Sequence, residues 1–412
     1  MKNIAIIGAG ASGISAAIEA LRTARETGIP VQVTVYEKLP RICKKILVTG
    51  NGRCNLSNRN IALQHYRGNK ALVSSVLENR FSDSVGFFSS MSLLTKEESG
   101  RIYPKSGNAS SVADALRYTC LSLGCKIAVN TPVTEIKRQN GGFLLNSTEF
   151  SDVLILACGG AASPVFGSDG SGYELLKMLG HKVTKIRPAL NSVKCKGSFL
   201  KSLKGIRTDA SAVLLLEEKA IFEDAGEIQF THYGLSGIPI FNLSGLIDNE
   251  YAERYKITLD LCREMTPVQL NDFFVKAFKI GKPCAADVLS GLLPKRLGEV
   301  VLKRCGISPA EKPEELTVKE CAAVAYTLKN FESLVIGTKG FSDAQVTSGG
   351  VASEEIDLVT LSSRIADGLY ICGELLDADG ICGGYNLHFA WTSGRTAGYN
   401  AVAGIMNNDK SK

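Results

Sequence analysis

Hydrophobic and polar positions in the first 37 residues follow the order expected of a βαβ unit. The run Ile4–Ile7 has no polar interruption, which is typical of a strand buried on both faces in a parallel sheet. Residues 12–27 carry apolar side chains at helical spacing, and Gly28 predicts where that helix ends. A second strand is predicted over 31–36, and it ends at Glu37.

Two later stretches repeat the pattern of a buried strand followed by glycine. The run Val153–Ala157 precedes a Gly-rich turn, and 172–180 then predicts a short helix. Residues 368–374 predict another strand ending in glycine, and 383–403 a terminal helix. These pieces predict an α/β fold with a doubly wound, Rossmann-like domain that is discontinuous along the chain.

The middle of the chain has a different character. Ala212–Leu216, Ala220–Phe222 and Ile257–Leu259 are rich in β-forming residues and alternate, which predicts an antiparallel sheet or small barrel. Capping-box patterns at Thr266, Ser308 and Thr317 then predict three helices. The predicted domains are therefore 1–190 with 336–412, an inserted β domain at 191–265 and a helical subdomain at 266–335.

Composition narrows the possible functions. The 412 residues include 41 Gly, above the usual share of about 7%, so some loops approach a neighbour closely. Lys and Arg number 47 against 41 Asp and Glu, too small an excess to indicate nucleic acid, and a small-molecule substrate is the better expectation. The four His and twelve Cys form no zinc or disulfide pattern, and no apolar run is long enough for a membrane helix. A cytoplasmic protein without metal is predicted, and its oligomeric state stays open.

Gly8, Gly10 and Gly13 lie between the first strand and the first helix in the pattern G-x-G-x-x-G. Together with the acid at Glu37 this is the dinucleotide-binding fingerprint, in which the helix N-terminus faces a pyrophosphate and the acid faces a ribose. Further along, Lys44–Asn58 is a glycine-punctuated cationic loop, and Gly380–Leu387 places glycines before the last helix. A nicotinamide dehydrogenase has no need of these two additional segments. Together with the fingerprint they predict a long cofactor.

Several segments together carry a resemblance to a known family: Thr49–Asn58, Gly100–Ser106, Phe230–Gly237, Val346–Val351 and Gly373–Leu387. With the N-terminal fingerprint, they make the chain resemble, over essentially its whole length, the flavoprotein family that contains the BaiN and YhiN proteins and aminoacetone oxidase. The resemblance implies noncovalently bound FAD, a discontinuous flavin domain, and an inserted β domain with helices that cover the flavin.

The resemblance also implies positions for the cofactor. The fingerprint and Glu37 would hold the ADP half, Val133 would meet adenine through its backbone, and the last loop would bind the ribityl chain and the pyrimidine edge. The full set of expected FAD-binding residues is Gly8, Gly10, Ala11, Ser12, Gly13, Glu37, Lys38, Lys45, Thr49, Gly50, Gly52, Arg53, Cys54, Asn55, Val133, Gly159, Gly373, Glu374, Gly384, Tyr385, Asn386 and Leu387.

The expected function is an FAD oxidoreductase, most simply an NAD(P)H-linked reductase of an activated C=C bond in a small or steroid-like substrate. An amine oxidase using O2 and a non-catalytic, RNA-associated flavin scaffold are the alternatives. No second dinucleotide fingerprint is present, so NAD(P)H would dock transiently or the substrate itself would supply the electrons.

Three side chains are candidates for catalysis. His232 and Tyr233 lie in a Gly-rich loop and offer proton transfer, and the alternative is a structural loop. Cys54 is a candidate redox thiol, because the neighbouring Arg53 would favour a thiolate, and the alternative is close packing against the cofactor. Arg101 and His388 are further residues for which a substrate role and a bracing role stay open.

Overall fold

The fold is described from a computed structural model covering residues 1–410. It has two compact units: unit 1 is Met1–Pro188 together with the chain from Ala344 onward, and unit 2 is Ala189–Asp343. None of the helices in residues 1–410 is both long enough and apolar enough to cross a membrane.

The strands are β1 Lys2–Ile7, β2 Val31–Tyr36, β3 Ser57–Asn58, β4 Tyr66–Gly68, β5 Thr95–Glu98, β6 Arg101–Pro104, β7 Lys126–Ala128, β8 Ile136–Gln139, β9 Gly142–Leu145, β10 Glu149–Ser151, β11 Val153–Leu156, β12 Arg187–Ala189, β13 Val193–Lys196, β14 Arg207–Leu216, β15 Lys219–Phe230, β16 Gly234–Gly237, β17 Tyr255–Asp260, β18 Phe331–Thr338, β19 Val346–Ser348, β20 Leu369–Ile371 and β21 Ala378–Gly380. The helices are α1 Ala11–Thr27, α2 Lys70–Leu77, α3 Ser84–Ser89, α4 Ala109–Ser122, α5 Ser171–Met178, α6 Phe199–Leu203, α7 Ile238–Ser244, α8 Pro267–Ala277, α9 Ala285–Leu289, α10 Lys295–Arg304, α11 Val318–Lys329 and α12 Tyr385–Lys410.

Unit 1 is built on a five-stranded parallel sheet in the order β20-β11-β1-β2-β7. Its centre is β1, which pairs in parallel with β2 on one side and β11 on the other. The apolar runs Ile4–Ile7 and Val153–Leu156 are fully buried, as strands with helices on both faces must be. The predicted α/β doubly wound fold is confirmed.

The last helix packs against the first. A Cβ atom on Gly394 or Gly398 would lie 2.2 Å from the Ser12 carbonyl or 2.1 Å from the Ala16 carbonyl, so only glycine permits this approach of α12 to α1. The mostly buried Arg395 guanidinium and Glu19 carboxylate are 2.9 Å apart across the same contact. The first helix, α1, and the last, α12, are therefore held in one layer.

Unit 2 contains a closed barrel of six strands in the order β13-β16-β15-β14-β17-β18, as one of the two sequence-based alternatives predicts. Its apolar core is continuous with the helices, since Ile257 of β17 belongs to the same buried cluster as Leu270 of α8 and Val324 of α11. The last barrel strand, β18, extends past the predicted boundary at residue 335.

Two of the three predicted capped helices form. Thr266 and Thr317 each make a complete capping box at the start of α8 and α11. The helix predicted at Ser308 is wrong: the Glu311 carboxylate accepts the Ser308 N–H as in a capping box, but the chain makes only a turn. Pro313 follows two residues later and disfavours helical geometry at residue 312, which stops propagation.

His388 joins three elements of unit 1. Its imidazole on α12 is 4% exposed, and its Nδ1 is 2.9 Å from the Ser57 hydroxyl of β3 and 3.0 Å from the Ser84 hydroxyl of α3. The other ring nitrogen, Nε2, is buried without a partner among the described residues. Burial lowers the pKa of His388 to about 4, so the ring is neutral at physiological pH.

This histidine makes the stability of the fold depend on pH. Its pKa is lower in the folded state than the usual value of about 6.5, so the unfolded chain takes up a proton first as the pH falls. We expect the contribution of His388 to the free energy of unfolding to be complete above pH 6.5 and to decrease by about 2 kcal/mol on acidification to pH 5. Denaturant unfolding of the wild type and His388→Gln at pH 7.5 and pH 5 measures it.

The stability difference between the two proteins should be larger at pH 7.5 than at pH 5. His181, whose pKa burial also lowers, is present in both proteins, so its effect cancels. An equal difference at the two pH values would show that folding does not shift the pKa of His388.

Candidate functional site

The turn between β1 and α1 has the geometry that the glycine spacing predicts. Gly8 has a φ of +100°, and a Cβ there would be 2.5 Å from the Ala157 carbonyl, while a Cβ on Gly13 would be 1.9 Å from the Gly8 carbonyl. A Cβ on Gly10, in contrast, would meet no protein atom within 4 Å. Gly8 and Gly13 therefore permit packing, whereas Gly10 leaves free space in front of Ala11 and Ser12 at the helix N-terminus, where a pyrophosphate fits.

Glu37, directly after β2, lies beside this turn. Its Oε2 accepts the Ala9 N–H at 2.9 Å and its Oε1 accepts the Leu39 N–H at 2.9 Å. Each carboxylate oxygen has two lone pairs, so each keeps one for a ribose hydroxyl. The next residue, Lys38, forms an ion pair with Asp169 at 2.6 Å.

Val133 lies in a loop that follows the sheet edge. Residues 131–134 form no strand, and the Thr131 N–H donates to the Glu37 carbonyl at 2.9 Å. This places the segment that contains Val133 next to the carboxyl end of β2.

Two more glycines lie after neighbouring strands of the parallel sheet. Gly159 follows β11 with a φ of +73°, and Gly373 follows β20 with a φ of +70°. A Cβ on Gly373 would be 2.3 Å from the Ser12 hydroxyl oxygen, so the turn after β20 lies against the start of α1. The carboxyl ends of β1, β11 and β20 therefore converge, as in open α/β sheets that bind ligands.

An ion pair links the segments at this edge. The Lys45 ammonium is 3.0 Å from the Glu374 carboxylate and donates to the Ala162 carbonyl at 3.1 Å. The other Glu374 oxygen accepts the Thr347 N–H at 2.7 Å, and the Thr347 hydroxyl accepts the Ala161 N–H at 2.8 Å. Sequence reasoning named Lys45 and Glu374 but missed Thr347, although it lies in one of the family-like segments.

The segment Thr49–Asn55 wraps tightly. Gly50, Asn51 and Gly52 all have positive φ, and the Cys54 N–H donates back to the Thr49 carbonyl at 3.0 Å. The Arg53 side chain contacts β5 and β6: its guanidinium pairs with Glu98 at 2.5 Å and lies 4.2 Å above the Tyr103 ring.

These contacts overturn the interpretation of Cys54 as a thiolate. Its thiol is fully buried in the apolar core of unit 1, and burial raises its pKa to about 12. Arg53 is its neighbour in sequence, but the charge of Arg53 is neutralised by Glu98. The thiol is therefore protonated at neutral pH and unsuited to nucleophilic or redox chemistry.

The last predicted segment is anchored from both sides. Asn386 bonds Gly380 twice, through its carbonyl and its amide at 2.8 Å each, and Leu387 packs on the core of unit 1. A Cβ on Gly384 would be 2.8 Å from the Asn55 Oδ1. That Asn55 oxygen is buried and has no partner among the described residues.

Tyr385 opens α12 within an aromatic cluster. Its ring is 4.7 Å from the His65 ring and 5.8 Å from the Tyr66 ring, centroid to centroid. Its carbonyl accepts a hydrogen bond from the Tyr66 hydroxyl at 3.0 Å. These contacts fix the start of the helix.

His232 and Tyr233 belong to unit 2. They lie in the turn between β15 and β16, His232 exposed and Tyr233 half-buried, with their rings 5.0 Å apart, and the Tyr233 carbonyl accepts the Cys195 N–H. The glycines that follow them lie in paired strands. Gly234 pairs with Lys194 inside the barrel, where a Cβ would be 2.0 Å from the Val193 carbonyl.

The residues of unit 1 fit FAD. The free space at Gly10, the helix N-terminus behind it and Glu37 suit an ADP moiety. The unpaired Asn55 oxygen, facing the glycines before α12, is a buried polar atom that a polar ring could satisfy. Among residues 1–410, no group of three His, Cys, Asp or Glu side chains is arranged to hold a metal ion.

Comparison with known proteins gives a consistent result. The family described as HI0933-like protein Rossmann domain matches residues 2–400. The 3-dehydro-bile acid delta(4,6)-reductase of Clostridium scindens is 39% identical over 98% of this chain and 99% of its own. A ribosomal RNA dihydrouridine synthase of Haemophilus influenzae is 29% identical over 94% and 95% of the two chains.

A solved structure supports the fold. The 3-ketosteroid delta1-dehydrogenase of Sterolibacterium denitrificans superposes with a TM-score of 0.50 over 98% of this chain and all of that one, at 11% identity. The family resemblance inferred from the motifs is confirmed. This chain therefore belongs to the HI0933-like Rossmann family, and it is an FAD-dependent oxidoreductase.

Proposed function

We propose that the protein binds FAD noncovalently, takes electrons from NADH or NADPH, and reduces a C=C bond conjugated to a carbonyl group in a small or steroid-like substrate. The observation that carries the proposal is the 39% identity to a bile acid reductase over nearly the whole chain. The dihydrouridine synthases point to the same bond type, because a uracil ring also has a C=C bond conjugated to a carbonyl.

Noncovalent binding is supported by the state of the nearest candidate nucleophile. Cys54 lies in the flavin-binding loop, but its thiol is buried and its pKa is raised to about 12. A neutral, buried thiol is a poor nucleophile. Transient binding of NAD(P)H is supported by the sequence, which holds a single dinucleotide fingerprint.

The cofactor and the protein have different chemical tasks. FAD supplies hydride transfer when bound, and the protein supplies binding, orientation and protons. Glu37 would accept hydrogen bonds from the ribose of the bound cofactor, and Lys45, paired with Glu374, would hold the loops around it in place. The residues at the N-terminus of α12 would hold the flavin ring, where the positive end of the helix dipole would favour negative charge. A proton at the substrate carbon is assigned to His232 or Tyr233, which carry ionisable groups on the turn between β15 and β16.

A second candidate substrate is a uridine in ribosomal RNA. It is favoured by two relatives named as ribosomal RNA dihydrouridine synthases, at 29% and 27% identity. The exposed lysines 194, 196, 201 and 204 in unit 2 have no acid between them in sequence, and such a run suits phosphates. Unit 2 as a whole holds as many acidic as basic residues, so the positive charge is local.

The proposal is tested by separating the two half-reactions. We expect the purified yellow protein to lose its blue absorption band when mixed with NADH or NADPH without oxygen. Adding a 3-oxo-4-ene steroid should restore the band and yield the saturated ketone, measured by mass spectrometry. Unmodified ribosomal RNA, added in a parallel sample, tests the second candidate through its dihydrouridine content.

The other outcomes identify the alternatives. Bleaching by an amine without NAD(P)H, with recovery in O2, would make the protein an amine oxidase. A yellow protein that no reductant bleaches would be a scaffold, and a colourless protein that does not take up FAD would contradict flavin binding altogether.

Glu37→Ala should weaken FAD binding. Loss of its hydrogen bonds to the ribose, with charge-assisted bonds worth about 1.5–3 kcal/mol each, should lower affinity a little over a hundredfold for a total near 3 kcal/mol. The variant should purify partly colourless and regain colour on soaking with FAD. Absorbance per protein after dialysis measures the retained cofactor.

Glu26→Ala is the matched control, because Glu26 is an exposed acid on the helix of the same βαβ unit. It should retain FAD as the wild type does. Full retention of FAD by Glu37→Ala through dialysis would show that Glu37 serves only the turn at Ala9.

His232→Gln should slow the substrate half-reaction and leave the nucleotide half-reaction largely unchanged. A positioned proton donor contributes about 10²- to 10⁴-fold in rate, and glutamine removes the titratable group while keeping a polar side chain. Stopped-flow absorbance measures both steps in the same preparation, and FAD content confirms folding. Unchanged reoxidation by the substrate would exclude His232 and direct the search to Tyr233 and Arg101.

A further inference from the structure

Unit 1 contains a cavity of about 350 Å³ between β3, α3 and the first turn of α12. None of the residues expected to bind FAD lines it. Its most deeply buried polar groups are Ser57, Ser84 and His388, each 4% exposed, and its apolar lining includes Ile61, Leu77 and Ile102. A cavity of this size, mostly apolar with a few buried polar groups, is typical of sites for small organic ligands.

His388 lines the cavity with one ring nitrogen still unpaired. Its Nδ1 is 2.9 Å from the Ser57 hydroxyl and 3.0 Å from the Ser84 hydroxyl. Neither hydroxyl has another acceptor among residues 1–410, so more hydrogen bonds are made when Nδ1 accepts. The proton of the neutral ring is then on Nε2, which is buried and has no partner among the described residues. The cavity therefore contains a buried N–H donor that requires an acceptor.

The charges in the lining disfavour an anion. The Asp83 Oδ1 accepts the Gly86 N–H at 2.8 Å, and its Oδ2 has no partner in the described chain. The other charged residue of the lining is Arg59, and its guanidinium pairs with Glu97 at 2.6 Å. The charge left without a counter-ion is therefore the carboxylate of Asp83. It favours a ligand that donates a hydrogen bond.

We propose that this cavity binds an uncharged molecule in which a primary or secondary amide is attached to an apolar group. The amide oxygen accepts the Nε2–H of His388, and the amide N–H donates to the Asp83 carboxylate. The apolar group contacts the aliphatic lining. A carboxylate would meet the negative charge of Asp83, and a hydrocarbon would leave the buried N–H unpaired, so neither fits.

This site is separate from the flavin-binding loops but touches them. The Asn58 amide donates to the Gly383 carbonyl at 2.9 Å, and a Cβ on Gly384 would be 2.4 Å from the Ser57 carbonyl. Asn58 and Ser57 line the cavity, whereas the glycines belong to the loop expected to hold the flavin. An amide ligand should therefore bind beside FAD and leave it in place. The proposal does not depend on the proposed reductase activity.

The test compares benzamide with acetophenone, in which a methyl group replaces the NH2 of the amide. Titration calorimetry on the FAD-loaded protein measures both dissociation constants. Acetophenone should bind about 10- to 100-fold more weakly, the loss of one hydrogen bond to a charged group. Benzoate should bind more weakly still.

The single tryptophan of the chain reports where the probe binds. Trp391 lies one turn beyond His388 on α12, and its ring is 5.1 Å from the ring of Phe88 on α3. Because both helices border the cavity, benzamide should change the fluorescence of Trp391. The blue absorption of bound FAD should stay constant after gel filtration with the probe.

Two substitutions remove the two polar contacts separately. Asp83→Asn keeps the cap of α3, because asparagine caps helices as well as aspartate does, but it puts an NH2 group where the unpaired oxygen was. Kd for benzamide should rise about 10- to 100-fold, and Kd for acetophenone should change little. His388→Asn keeps a polar atom beside the two serines and removes the Nε2 donor, so it should weaken both probes. His388→Gln retains a donor near the Nε2 position and should restore part of the binding.

Asp367→Asn is the matched control, because Asp367 is an exposed aspartate of unit 1 outside the lining. Its dissociation constants should equal those of the wild type. An unfolding midpoint near the wild-type value shows that each variant is folded before its binding is compared.

Four results would overturn the proposal. A wild type that does not bind benzamide would mean that water alone satisfies His388. Equal affinity for benzamide and acetophenone, or an unchanged Kd for benzamide in Asp83→Asn, would mean that no amide N–H meets Asp83. Release of FAD by benzamide would place the probe in the flavin site. None of these results bears on reduction of the flavin by NADH or NADPH, so they leave the proposed function to its own test.

Discussion

The approach of backbone to backbone at the start of α1 is the constraint on which unit 1 depends. Gly13 lets α1 descend onto the turn at Gly8, Gly8 lets that turn meet β11, and Gly394 with Gly398 let α12 lie directly on α1. At each of these points a single methyl group would collide with a carbonyl oxygen. Because the contacts are this close, segments more than 300 residues apart in sequence meet at one sheet edge.

The cofactor site is a consequence of that edge. The carboxyl ends of parallel strands lie at the same edge of the sheet, so the loops after β1, β2, β11 and β20 lie together at that edge. Lys45, Thr347 and Glu374 join the loops after β2, β11 and β20 through hydrogen bonds of 2.7 to 3.1 Å. The glycine positions provide space, and this polar network keeps the space in a defined shape before any ligand enters.

The two units have separate cores. Unit 1 has the nucleotide-binding turn, and two of its candidate groups, Cys54 and His388, are held neutral by burial. Unit 2 closes its own barrel and presents His232 and Tyr233 on a turn whose flanking glycines are pinned in strands.

The sequence by itself determined the features that short-range physics controls. The buried strands, the fingerprint turn, the αL end of α1 at Gly28 and the capping boxes at Thr266 and Thr317 each depend on residues within one or two turns of chain. The helix predicted from the capping-box pattern at Ser308 does not form, because Pro313 just beyond it disfavours helical geometry. Tertiary structure alone decided the charge states. Arg53 neighbours Cys54 in sequence but pairs with Glu98 across a sheet, and Thr347 meets Glu374 only after folding. Electrostatics and burial depend on distance in space, which spacing along the chain does not encode.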